Sequence, residues 1–359
     1  MPEFKIYVYA ISKNESKFAA RWYASMSEAD GVYVLDTGSD DDTVDILRSL
    51  GAHVETRIIT PWRFDTARNL SLELVPDDAD LCVCTDLDEV FHPGWRAQME
   101  KALCLGAKRL RYRYTWNFLP DGREGYVFWI EKAHARHGFR WVNPVHEVLQ
   151  CDTPCVTVSV DGVQCDHHAD ESKSRGQYLE LLELAVREEP DNDRNMHYLG
   201  REYMFYGRWA DCERTLTEHL SMPSAVWRDE RAASMRYIAR AVKAQGRRDD
   251  AMSWLLRAIA EAPHLREPWL EASQLALENE EWSGALYFAQ KALAISVRPQ
   301  TYINEAESWG AKPYDIAALA AYYLGLYPLA ADYGKKALEI EPDNERLINN
   351  MEFYEKALA

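Results

Sequence analysis

Over the first 170 or so residues, apolar and polar positions follow two alternating rhythms. A period of two runs through "KIYVYAIS", "GVYVLDTG", "AHVETRII" and "DLCVCTDLD", which predicts four strands. Between them, "ESKFAARWYASM", "DDDTVDILRSLG" and "RFDTARNLSLELV" read as helices, and the acidic start of the second suits the positive end of a helix dipole. Strands and helices taking turns predict an α/β unit with a mostly parallel sheet. Three more strand-like pieces, "KRLRYRYTWNF", "GYVFWIEKA" and "CVTVSVDGVQCDHH", predict mixed or antiparallel pairing.

From about residue 172 the strand rhythm stops and the pattern is helical. The phrases "YGRWADCERTL", "QGRRDDAMSWLLRAI", "NEEWSGALYFAQKAL" and "LGLYPLAADYGKKAL" align on Cys212, Ala251, Ala285 and Ala330. Proline phrases such as "EEPDN", "EAPHL" and "IEPDN" punctuate them. A small residue at a fixed place in a helix pair, with proline near its end, resembles the tetratricopeptide repeat. Small residues let two helices approach closely, and stacked neighbours make the core. Trp209, Trp254, Trp269 and Trp282 are read as core on the same ground. Two domains follow, 1–171 and 172–359.

Composition narrows the function classes. A hydrophobic share of 47% and a charged share of 28% are those of a globular protein. The net charge of −17 divides almost evenly between the halves and disfavours a nucleic-acid or anionic-membrane binder, both of which need a positive field. The chain opens directly on a strand pattern, and its longest uncharged run, Ile316 to Ala331, falls short of the roughly 20 residues a spanning helix needs. That run reads as a buried helix pair and the protein as cytoplasmic. Seven cysteines without a framework spacing are expected to be reduced. Cys151, Cys155 and Cys165 with His167 and His168 have a spacing unusual for zinc, so small buried residues on short strands is the reading adopted.

The informative stretch is "TDLDEVF", where Asp86, Asp88 and Glu89 crowd the end of an apolar strand. Acids that close repel unless something positive stands between them. A solvated strand end is one reading. A haloacid-dehalogenase-type phosphotransferase with Asp86 as nucleophile is another, although no strand downstream supplies its further acids. The third is the Asp-x-Asp motif of an enzyme that uses a nucleotide sugar.

Taken in order, "YVYAISKNESKFAARW", "VYVLDTGSDDDTVDIL", "WRFDTARNLSLEL" and "LCVCTDLDEVF" resemble the first half of a GT-A-fold glycosyltransferase of family 2, over roughly residues 4–170. The repeat-bearing second half is similar to the arrangement in peptide S-glycosyltransferases of bacteriocin pathways. The resemblance implies a GT-A (Rossmann-like, mixed but mostly parallel) α/β domain, followed by an all-α tetratricopeptide-like domain. It implies Mn²⁺ or Mg²⁺ held by Asp88, with Asp86 toward the ribose or a metal-bound water and Glu89 behind them. A cation there stabilises the departing diphosphate as the glycosidic bond breaks. Asp36 matches the acid that contacts base or ribose, Ser12 and Glu15 match the first nucleotide-binding turn, and Arg68 matches a diphosphate contact or a structural ion pair. Glu147 matches the base that deprotonates the acceptor, with His146 beside it. One histidine completes the metal site: His168 is favoured, with His167 as alternate, since neighbours on a strand point opposite ways. Lys173 and Arg175 follow as phosphate contacts or plain surface charge.

Period-2 alternation puts Arg109, Arg111 and Arg113 on one face of their strand, as a solvated surface balanced by acids or an anionic acceptor track. Trp116 and Trp129 are candidates for a sugar platform or for core. The function expected is therefore inverting, metal-dependent transfer of a hexose or N-acetylhexosamine from a UDP-sugar. The acceptor would be a peptide or protein, with glycans, small molecules and phage DNA left open. The repeats would bind that acceptor or join two copies in a homodimer. The opposing class is a non-catalytic repeat adaptor with a degenerate transferase domain.

Overall fold

The computed structural model describes residues 4–119, 122–170 and 176–358. Lys173, Arg175 and the expected 171/172 boundary lie outside them. Two compact units emerge, the first running up to Ala185 and joined by Gln300–Tyr302, the second from Val186 onward.

The first unit opens β1 (Ile6–Ser12), α1 (Ser16–Ser25), β2 (Gly31–Asp36), α2 (Thr43–Leu50), β3 (His53–Thr56), α3 (Phe64–Glu73) and β4 (Leu81–Thr85). It continues with β5 (Glu89–Phe91), α4 (Trp95–Cys104), β6 (Arg109–Thr115) and β7 (Val127–His134). The hairpin β8 (Phe139–Val142) and β9 (Val148–Cys151) and the long β10 (Thr157–His167) complete it. Eight strands form one sheet in the order β3-β2-β1-β4-β7-β6-β10-β5. The sheet is mixed: β3, β2, β1 and β4 are parallel, as are β6 and β10, but β7 runs antiparallel to both neighbours and β5 to β10. The reason is the short β6–β7 connection, which allows only a hairpin turn and not a crossover.

Strand alternation sorts side chains to two covered faces. Ile6, Val8 and Ala10 join Trp22 of α1 and Trp95 and Met99 of α4 in the main core, while Tyr9 faces Leu72 at the end of α3 and Trp141 of β8. On that second face, Trp141 Nε1–H donates to Tyr9 Oη (2.7 Å), Tyr9 donates to His134 Nε2 (2.7 Å), and His134 Nδ1–H donates to the Ala135 carbonyl (2.8 Å). Burial lowers the His134 imidazole to about 4, so the ring is neutral and its tautomer is set by this chain.

The second unit is a run of helices, with α5 (Tyr178–Glu188) crossing the boundary: α6 (Asp193–Phe205), α7 (Trp209–Ser221), α8 (Arg228–Ala244), α9 (Arg248–Glu261), α10 (Arg266–Glu278), α11 (Trp282–Ala294), α12 (Lys312–Tyr323), α13 (Tyr327–Ile340) and α14 (Glu345–Lys356). Cys212, Ala251, Ala285 and Ala330, the aligned small residues, are all at most 1% exposed, on α7, α9, α11 and α13. The turns preceding those helices repeat one geometry. Gly207, Gly246, Glu280 and Gly325 have φ between 59° and 82°, and the next residue's N–H bonds back to the carbonyl five residues before it. This is the left-handed helix stop that favours glycine, and Glu280 occupies it with a side chain. The "PDN" phrases end in N-caps: Asn192 accepts from the Asn195 N–H and Asn344 from the Leu347 N–H. The run from Ile316 to Ala331 is the pair α12–α13 with its turn at Gly325, and among the described residues no helix is long and apolar enough to cross a membrane.

Within this unit, Arg236 (1% exposed) and Arg240 each bind both Glu271 and Glu305, through contacts of 2.5 to 2.8 Å. Two bases meet two acids and no charge is left over.

Candidate functional site

The acids of "TDLDEVF" stand where β4 ends and β5 begins. Asp86, in the connecting turn, is held by Arg68 Nη2 (2.9 Å) and Lys132 Nζ (2.9 Å). Glu89 is 1% exposed; its Oε1 accepts from Lys132 (2.7 Å) and Tyr114 Oη (2.7 Å), and its Oε2 from the Asp86 N–H (3.1 Å). Arg68 also donates through Nε to Glu147. Burial presses Arg68, Asp86, Glu89 and Lys132 toward neutrality. At Asp86 the charges of Arg68 and Lys132 overcome burial and hold the carboxyl well below its usual range, whereas at Glu89 burial prevails over Lys132 and the carboxyl is raised. Burial also disfavours the Lys132 ammonium, but Asp86 and Glu89 outweigh it and keep it charged. Three acids thus share two bases.

Asp88 stands apart from that cluster. Its Oδ2 lies 3.3 Å from His167 Nε2, and its Oδ1 is buried without a hydrogen-bond partner among the described residues. His167 donates Nδ1–H to the Trp116 carbonyl (2.7 Å) and stacks on the Trp116 ring (4.5 Å between centroids). A neutral ring so oriented turns its Nε2 lone pair on a carboxylate, an arrangement that calls for a proton or a metal ion between them. Burial lowers the His167 basicity, but Asp88 overcomes it and raises the net value.

Of the two histidines, the alternate His167 and not the favoured His168 has its ring beside Asp88. His168 stacks on Phe118 (5.6 Å), and only its backbone N–H reaches Asp88, at the carbonyl. The cause is register: β5 pairs antiparallel with β10 at Glu89↔His167, which brings His167 and not its neighbour beside the acid.

The other candidates take mainly organising positions. Asp36 is fully buried at the end of β2 and accepts from the Gly38 and Ser39 N–H groups and from the Ser12 and Ser39 hydroxyls. Glu15 is buried at the N-cap of α1, with its N–H on Thr43 Oγ1 (2.7 Å). Glu147 is held by Arg68, whose Nε–H occupies its Oε1. His146 has φ 50° and packs its ring against Tyr178 (5.8 Å). Arg109, Arg111 and Arg113 share a face, as alternation predicts, and pair with Glu131 and Glu124, the balanced-surface arrangement. Cys165 belongs to the main core, and no metal-spaced group among the described residues includes Cys151 or Cys155.

Lys132 is the residue that sequence reading missed. Its signal was present: in "VFWIEKAH" the period of two puts this lysine in line with Phe128 and Ile130, which pack on the main core. A cation in an apolar row requires buried acids opposite it.

No protein-family model matches the chain. Among solved structures it is similar to MamA, at 20% identity over 50% of this chain and 99% of that one (TM-score 0.39). It is similar to PilW, a type IV pilus biogenesis factor, at 16% identity over 48% and 74% (TM-score 0.41). It is also similar to a thermophilic tetratricopeptide-repeat protein of Thermus thermophilus, at 18% identity over 51% and 91% (TM-score 0.35). These likenesses run to repeat-type and pilus proteins and not to GT-A glycosyltransferases. Neither a family model nor any of these structures supports the family-2 assignment or the GT-A fold class, and both are withdrawn. The N-terminal unit is a mixed eight-stranded sheet flanked by helices, and the second unit is tetratricopeptide-like.

Proposed function

We propose that the protein is a helical-repeat binding protein whose α/β unit holds a divalent cation, together with an anionic ligand, at the rim formed by Asp88 and His167. The observation that carries this reading is the buried Asp88 Oδ1 without a hydrogen-bond partner among the described residues, with His167 Nε2 3.3 Å from Oδ2. Carboxylate and imidazole suit Mn²⁺, and carboxylate with water suits Mg²⁺. When bound, such an ion would lend positive charge to a phosphate-bearing ligand. The chain's own residues do the rest. Lys132 and Arg68 neutralise Asp86, the Trp116 carbonyl orients His167, and the indole of Trp116, 48% exposed, offers a flat face for a base or a sugar ring. The repeats supply small-residue-packed helix pairs of the kind that present polypeptide-binding faces.

A second reading makes this unit an enzyme that transfers a sugar from a nucleoside-diphosphate sugar, UDP-linked in the first instance, to a polypeptide. It is favoured by the same rim, since a cation there would face the departing diphosphate. Glu147 would have to leave Arg68 to act as base.

Calorimetry of the full chain with Mn²⁺, then with UDP in its presence, tests the first reading. Saturable binding of Mn²⁺ that disappears in Asp88→Asn supports it, and heat unchanged by that substitution overturns it. Release of UDP from UDP-sugars in the presence of Mn²⁺ decides the second: turnover establishes the enzyme, and binding without turnover leaves the adaptor.

A further inference from the structure

Three consecutive helices of the second unit place His197 (α6), His219 (α7) and Glu230 (α8) together in its interior. Both imidazoles are fully buried and the glutamate is 4% exposed. One donor atom from each residue lies within 4.8 Å of the other two. The two rings share one hydroxyl, with Ser234 Oγ at 2.7 Å from His197 Nδ1 and 3.1 Å from His219 Nδ1. Neither Nε2 atom has a hydrogen-bond partner among the described residues, and His219 Nε2 stands 3.5 Å from a Glu230 carboxylate oxygen.

Buried ring nitrogens normally find partners, and leaving one without costs about 1–3 kcal/mol. Ser234 has one hydrogen to give, so no choice of tautomers satisfies all four ring nitrogens. If both rings donate Nδ1–H to Ser234 Oγ, both Nε2 atoms become lone pairs, one of them beside a carboxylate. That is the state in which a metal-binding histidine is held by its outer partner. Two imidazoles and one carboxylate form a donor set that zinc and other late divalent ions accept.

We propose that His197, His219 and Glu230 form a buried binding site for a divalent transition-metal ion, zinc being the ion to test, with Ser234 as the residue that orients both rings. Zinc–nitrogen bonds of about 2.0 Å require the three side chains to close in from their present spacing. The bound ion ties α6, α7 and α8 together.

The test uses tag-free full-length protein carrying Asp88→Ala and His167→Ala, so that the rim contributes no ion. Titration with Zn²⁺ against a chromophoric chelator is expected to give one ion per chain. His219→Gln and His197→Gln should each abolish stoichiometric binding, and Ser234→Ala should weaken it by about 10–100-fold. Binding of no ion, or one ion unaffected by both histidine substitutions, overturns the proposal. If a histidine variant fails to fold, X-ray absorption of the zinc-loaded parent decides. Nitrogen and oxygen scatterers with imidazole outer shells uphold the site, and sulfur ligation sinks it.

Discussion

At the sheet rim Arg68 and Lys132 face Asp86, Glu89 and Glu147, whereas in the helical unit Arg236 and Arg240 face Glu271 and Glu305. Both clusters are buried networks of two cations. The helical one is balanced and every carboxylate in it binds both arginines, so it has nothing left to offer a ligand. The rim has one acid more than it has bases, and Asp88 beside it adds another. A closed ionic box reads as architecture. An open one with surplus negative charge at a strand end reads as a place for a cation.

The largest effect is expected from breaking either cluster by halves. Lys132→Met leaves Glu89 buried without its cation, and Arg236→Met leaves Glu271 and Glu305 to share Arg240 alone; each should lower unfolding free energy in urea by about 3–5 kcal/mol. Replacing all four residues of the helical box with apolar ones should be nearly neutral, which would set it apart from the rim, where the same treatment removes cation binding.

Acid comes next. The folded His134 value of about 4 lies below the unfolded value of about 6.5, so the unfolded chain takes up a proton that the folded one refuses. Stability from this group is complete above pH 6.5 and is lost as pH falls toward 4, by about 3 kcal/mol, with no further loss below. Denaturation at stepped pH should show that slope in the wild type and lose it in a His134→Gln variant.

A smaller gain is expected at the third repeat turn. Glu280→Gly removes a side chain from a left-handed position with φ 59° and should raise stability by about 1 kcal/mol, read as an increased melting temperature. Least affected is Asp88→Asn, which should shift stability by less than about 1 kcal/mol while eliminating Mn²⁺ binding.

Much of this was legible in the chain. The four early strands, the first three helices and the aligned positions Cys212, Ala251, Ala285 and Ala330 all follow from local period and residue size. The α4 helix and the β8–β9 hairpin were missed: α4 has a weakly sorted apolar face, and the two strands bury only Trp141 and Leu149. Within the site, Asp88 was legible as an acid after an apolar run, but its partner was not. Choosing between His167 and His168 needed the pairing of β5 with β10, a contact between segments far apart in the chain. The ionic role of Lys132 was hidden for the same reason, and the family resemblance suggested by four ordered motifs is matched by no family model.

The antiparallel seam between β5 and β10 has one more implication. It joins a three-residue strand to the last strand of the sheet, so the Asp88–His167 pair comes into being only when that strand docks. Slipping the seam by a single step would exchange one histidine of the tandem for the other and reverse which ring meets the carboxylate. Alignment of two backbones, and not the chemistry of either imidazole, therefore decides which of two identical neighbours stands beside Asp88.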